Sequence, residues 1–201
     1  MKKKILIIGS MFILLFTGCE TTKNTPSKKV EEFLGRYQSM DSGVLTQLDN
    51  VVSEETTMSD EQKKEYKSLM EKQYQNLSYK IKNEEINDDT ATVEVEIEVY
   101  DYATSVSKSR KYYEEHPDEF KEDKNNDNKN NNDNDNNNDN VVEDALRDTA
   151  AYIDYKIKQL KDVTDKAKYD ITFNLTKEDD EWRLEDISDI DRKKIHGLYE
   201  E

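Results

Sequence analysis

From Thr90 to Tyr100 the chain reads TATVEVEIEVY. Ala91, Val93, Val95, Ile97 and Val99 alternate with Thr92, Glu94, Glu96 and Glu98. A strand turns successive side chains to opposite faces, so this period of two gathers five apolar residues on one face and three carboxylates on the other. Such a strand needs a neighbour along its edge and a layer over its apolar face. The preceding segment supplies the neighbour. Tyr79 and Ile81 fall on inward positions, Ser78, Lys80 and Lys82 on outward ones, and NDDT (87–90) is the turn. Lys80 and Lys82 then face the row of glutamates and offset its self-repulsion. Ile86 has the opposite parity from Ile81, which predicts a bulge between them. A second hairpin comes late. Ile171, Phe173 and Leu175 share a face, KEDD (177–180) turns the chain, and Trp182 and Leu184 alternate on the return strand.

The layer over the sheet is read from helical spacing. Thr25 as N-cap and Pro26 at the first position open a helix carrying Val30, Phe33, Leu34 and Tyr37, with Gly43 as its expected stop. Val44, Leu48, Val51 and Val52 mark a second short amphipathic helix. Ser59 with Gln62 forms a capping box for a third, whose stripe is Tyr66, Leu69, Met70, Gln73 and Leu77. These three helices are the expected cover of the sheet. Between the hairpins, Tyr102, Val106 and Tyr113 predict a weak helix ending near His116-Pro117. Val142, Leu146, Thr149, Ile153, Ile157 and Leu160 predict a stronger one. Residues 123–140 are Asn, Asp and Lys without one apolar side chain, so they are expected to be disordered and to loop out of a helical hairpin. A short terminal helix stopped by Gly197 closes the chain. The fold class is therefore α+β. N-terminal helices pack on a curved antiparallel sheet of about four strands in two hairpins, with an inserted helical hairpin, all in one domain over 26–201.

The opening residues set the address. Lys2, Lys3 and Lys4 precede an apolar run, Ile5 to Phe16, that is too short for a spanning helix. Residues 1–18 thus read as a signal peptide. The sequence then runs Phe16-Thr17-Gly18-Cys19, and Cys19 is the sole cysteine. This ending resembles the lipobox of bacterial lipoproteins: an aliphatic residue, a small residue, Gly or Ala, then Cys. The resemblance implies transfer of diacylglycerol to Cys19, cleavage after Gly18 and further acylation with a fatty acid such as palmitate. Phe16 departs from the usual Leu, whereas Thr17 and Gly18 supply the small residues that a scissile bond needs. Two acyl chains anchor firmly where one does not. Residues 19–25 form a polar tether of roughly 20 Å when extended. That exceeds the Debye length of about 8 Å at physiological salt. The expected location is the cell membrane, lipid-anchored on its extracytoplasmic face.

Three lysines leave with the signal peptide, so 27 basic side chains remain against 46 acidic ones. That balance argues against nucleic acid, whose phosphates need clustered Lys and Arg. It also argues against a domain lying flat on anionic lipid.

VEEFLGRYQSMD, then NLSYKIKNEEINDDTATVEVEIEV, then YDITFNLTKEDDEWRLEDI together resemble small Gram-positive lipoproteins with a nuclear transport factor 2-like (cystatin-like) domain. The matching features are Asp89-Thr90-Ala91-Thr92-Val93 in a strand and the Trp182–Leu184 pair in the closing one. The resemblance spans roughly residues 26–102 and 167–188. It implies a fold and is silent on activity. Enzymes of that superfamily project acid–base residues into a cone between sheet and helices. Here the inward strand positions carry no titratable group, and a general base must reach its substrate. Asp101 keeps the inward parity at the strand end, so it and Tyr102 are the candidate mouth of a pocket.

Metal chemistry has little to work with. His116 and His196 are eighty residues apart and the one Cys is assigned to lipid. Asp133, Asp135, Asn137, Asp139 and Asp144 match calcium-loop spacing, but Asn138 stands where Gly is needed and Asp144 where Glu is. Such spacing arises readily in a tract of Asn and Asp, and no metal or other cofactor is assigned. Tyr112, Tyr113, Tyr152 and Tyr155 cluster on the inserted helices, either as ordinary packing or as a partner surface. The expected function is a membrane-anchored, non-catalytic module for interaction or ligand binding, with an unknown protein or small molecule as ligand. Two alternatives stand beside it: a binding or hydrolytic pocket near Asp101, and a helical-hairpin adaptor docking a cell-envelope partner.

Overall fold

The computed structural model describes residues 24–121 and 149–200. The signal peptide, the lipobox-like run to Cys19, the Asn/Asp-rich stretch, Val142 and Leu146 lie outside the described residues.

The chain begins with α1 (Pro26–Gln38), capped by the Thr25 side chain, which accepts from the Lys28 N–H. Its end differs from the sequence expectation. Met40, at φ 57°, takes the left-handed position that Gly43 was expected to take. Gly43 instead lies in the first turn of α2 (Ser42–Glu54), where its N–H donates to the capping carboxylate of Asp41. Arg36, from the end of α1, donates to the same carboxylate at 3.0 Å and so ties the two helices together. Val44, Leu48 and Val52 turn inward from α2, whereas Val51 is 55% exposed. The capping box at Ser59 is formed on both sides and opens α3 (Asp60–Gln75). Gln62 then reaches on to donate to the Ala150 carbonyl and to Asp154.

The sheet follows as read. β1 (Ser78–Asn87), β2 (Thr90–Tyr100), β3 (Lys166–Glu178) and β4 (Glu181–Leu184) lie in chain order and are antiparallel throughout. The register of β1 shifts between Ile81 and Asn83, which is the expected bulge. Positive φ at Asp88, Asp179 and Asp180 falls at the two hairpin turns. Asp tolerates this because its short side chain can bond locally. On the polar face Glu96 accepts from Lys168 at 3.2 Å and pairs with Lys82 at 2.7 Å. The lysines therefore hold its carboxyl below the usual range. On the other face, Val93, Val95, Ile97 and Val99 are fully buried.

The helical cover differs in composition from the expected one. α1 crosses β1, β2 and β4, and α3 lies against β2. The short terminal helix α6 (Asp189–Ile195), with Ile195 fully buried, also sits on β2. α2 packs on α3 as an outer storey. At the end of the sheet opposite the two turns, the chain leaves β2 into α4 (Tyr102–Glu115) and returns to β3 from α5 (Ala150–Lys161), which packs on α4. Among the described residues the core runs from Val30 to Ile195, so every core residue there lies C-terminal to Cys19.

Two contacts bind the ends of this layer. Asn24, within the span read as tether, donates from its amide to the Asp180 carbonyl and accepts from the Trp182 N–H. The first described residue is thus already fastened to the turn between β3 and β4. At the opposite end, Gln73 is fully buried. Its carbonyl accepts from the Tyr100 N–H at 2.9 Å and its amide donates to the Tyr100 carbonyl at 3.1 Å. One side chain thereby serves both backbone groups at the end of β2, where the ladder can no longer do so.

Candidate ligand cleft

The C-terminal ends of α1, α3 and α6 converge beneath α2 and leave a cleft of about 300 Å³. Tyr37 comes from α1, and Tyr66, Met70 and Tyr74 from one face of α3 at helical spacing. Val44 and Leu48 of α2 form the opposing wall, with Gln47, Asn50 and Val51 along the rim. Arg192 and His196, one helical turn apart, close it from the α6 side. No strand residue lines it, so it is a cleft among helices and not a cone against the sheet.

Its polar floor is a single bonded pair. The Tyr74 hydroxyl lies 3.1 Å from His196 Nε2, and which group donates depends on the imidazole tautomer. Tyr37 meets the Tyr74 ring edge-on at 5.1 Å. Burial, helped by the Arg192 charge, pushes the His196 pKa down to about 4. The imidazole is therefore neutral at physiological pH. Burial raises the pKa of Tyr37 and of Tyr74. It also raises that of Tyr66, with Glu55 adding to the effect. The phenols thus stay protonated, and Arg192 carries the full charge on the lining. Its ion pair to Asp189 spans 3.8 Å to a carboxylate that is 98% exposed.

The residues expected at a pocket mouth are separated. Asp101 caps α4 by accepting from the Thr104 N–H at 3.0 Å and lines an open recess of about 470 Å³ with Ser107, Lys168 and Tyr169. Tyr102 does not share that recess. It is fully buried, its hydroxyl donates to the Leu69 carbonyl, and burial pushes its pKa up to about 12. The inserted helices' aromatics pack on one another: Phe120 is buried among Tyr112, Tyr113, Tyr152 and Tyr155. His116 is exposed and stacks on Tyr112 at 4.2 Å. Among the described residues no three His, Cys, Asp or Glu side chains are placed to hold a metal ion. The Asp133–Asp144 positions lie outside them. No helix among the described residues is long and apolar enough to cross a membrane. The cleft itself escaped the sequence reading, because Tyr74 and His196 meet across 122 residues.

No protein-family model matches the chain and no curated protein matches it. Among solved structures, it is similar to a candidate lipoprotein, YcdA, of Bacillus subtilis, at 18% identity and a TM-score of 0.37. The match covers 87% of this chain and 47% of that one, so the chain spans about half the length of the protein it resembles. Overlap that shallow does not establish a shared fold.

Proposed function

We propose that the protein is an extracytoplasmic lipoprotein, held to the cell membrane through acyl chains on Cys19, and that its folded domain is a non-catalytic ligand-binding module. The anchoring half of this reading rests on the FTGC ending of a short, Lys-flanked apolar run. The binding half rests on the helical cleft, whose aromatic and aliphatic walls surround a small set of convergent polar groups, the usual make-up of a small-molecule site.

Catalysis has less support. A general base works best with a pKa near the operating pH, and His196 is far below that. The lining offers no serine, cysteine or carboxylate for it to activate or be oriented by. At the other expected location, the Asp101 carboxylate is committed to capping α4.

Two measurements test the reading. Cys19→Ser should abolish metabolic palmitate labelling and move the protein from the membrane to the soluble fraction; labelling that persists would sink the anchoring. For the cleft, the chain from residue 20 onward should gain thermal stability with some members of a small-molecule library. Val51→Trp, which covers the exposed rim, should remove that gain. Stabilisation that is indifferent to the rim substitution would place binding elsewhere.

A further inference from the structure

We propose that the ligand of the helical cleft is a small organic anion: a flat, apolar body of no more than about 300 Å³, carrying one acidic head that sits against Arg192. This rests on the reading of the cleft as the ligand site and goes beyond it in assigning a chemical class and an orientation.

Charge distribution carries the first part. The chain holds 46 acidic side chains against 30 basic ones, yet the cleft lining contains no carboxylate and one guanidinium. In so acidic a protein, that is an inversion of the local sign. A cationic ligand would meet Arg192 with no carboxylate on the lining to offset it. A neutral ligand would cover part of the guanidinium and leave it only the long pair to the exposed Asp189 carboxylate, and burying a poorly partnered charge is costly. An anion gains a planar, two-pronged donor suited to carboxylate, sulfonate or phosphate oxygens. The present partner of Arg192 is a weak competitor, because an ion pair to a carboxylate that is 98% exposed contributes little. Arg36, the other guanidinium near Tyr37, is already held by Asp41.

The walls give the second part. Tyr37, Tyr66 and Tyr74 present rings or ring edges, and Leu48 and Met70 fill between them. Aromatic edges and faces favour a flat partner over a bulky one. The field across the cleft sets the direction. Arg192 acts on Tyr37 and His196 at the α6 side, whereas Glu55 acts on Tyr66 at the far side. The acidic head therefore belongs by α6 and the apolar body against Tyr66. The Tyr74–His196 pair beside the head can rearrange its one hydrogen bond toward an anionic oxygen, since the neutral imidazole has two tautomers.

The test uses two dyes that differ by one acidic group: anilinonaphthalene sulfonate and its uncharged parent, N-phenylnaphthylamine. Each is titrated by fluorescence against the chain from residue 20 onward. The sulfonate should bind about tenfold tighter than the parent, the worth of one charge-assisted contact. Arg192→Gln should bring the two within about twofold of each other, and Val51→Trp should weaken both. If the uncharged dye binds as tightly as the sulfonate, or if Arg192→Gln leaves the preference intact, the anion assignment falls while the cleft survives as a binding site. If both dyes are indifferent to Val51→Trp, the cleft itself is refuted as the site, and the assignment falls with it.

Discussion

Gly197 follows α6 at φ +69°, in the region that side chains rarely adopt. A Cβ there would run into Gln73 Nε2 and the Tyr100 carbonyl, the two partners that finish β2. One substitution would thus strain the backbone and break a buried bond together. Gly197→Ala should cost about 2–5 kcal/mol in urea denaturation, from left-handed backbone strain of roughly 1–2 kcal/mol plus an unsatisfied buried amide at roughly 1–3 kcal/mol. Its neighbour His196 ties stability to pH, because burial lowers its pKa in the folded chain. Its folded pKa, about 4, lies below the unfolded value of 6.5, so the unfolded chain binds the proton first. The contribution is fully present above about pH 6.5 and is lost as pH falls toward 4, by up to about 3 kcal/mol. Chemical denaturation at pH 7 and pH 4.5 should therefore show a larger loss for the native chain than for His196→Gln; equal losses would mean that the imidazole is not held neutral. Neither role was legible in the sequence beyond the helix stop at Gly197. His196 shows there only as an isolated histidine, because the tyrosine that holds it is contributed by a helix 122 residues away and no local period points to it.

Elements were legible where a period or a cap is strict. The five inward residues of β2, the offset of Ile86 and the Ser59–Gln62 box each follow from spacing alone. The join between α1 and α2 did not, for a physical reason. A glycine suits the left-handed position after a helix and also suits a tight first turn, and the local spacing at Gly43 is compatible with both. The Asp41 cap and the Arg36 pair decide it in favour of the second. Met40 then accepts the left-handed conformation without the freedom that glycine would bring. The inserted helices join the main core through Tyr102, Ile153, Ile157 and Leu160, but their outer tyrosines form a cluster of their own. Their rings close around Phe120 rather than around the sheet. Phe120→Ala should cost about 3–4 kcal/mol locally. The amides of the second half of α4 should exchange faster, while those of β2 and β3 keep their protection. Uniform loss across the sheet would show that the hairpin and sheet unfold as one unit.

For the whole molecule, the position of Asn24 matters more than the residue itself. It is fastened at the turn between β3 and β4, beside the turn between β1 and β2. Five Cα steps, roughly 18 Å at full extension, separate it from Cys19. On the proposed anchoring, the chain leaves the domain toward the lipid from the side of the two hairpin turns, and the inserted helices lie at the other end of the sheet. Fluorophores on Asp179→Cys and Thr104→Cys, in liposomes with nitroxide-labelled lipid, should be quenched strongly at 179 and weakly at 104. The reverse order would contradict this orientation. The helical cleft lies among the C-terminal ends of α1, α3 and α6, at the other end of α1 from Asn24. The thirteen residues of α1 make roughly 20 Å, more than twice the Debye length of about 8 Å. On the proposed anchoring, α1 then holds the cleft clear of the ion atmosphere over the bilayer. Loading of the cleft should accordingly be blind to the charge of the lipids underneath it.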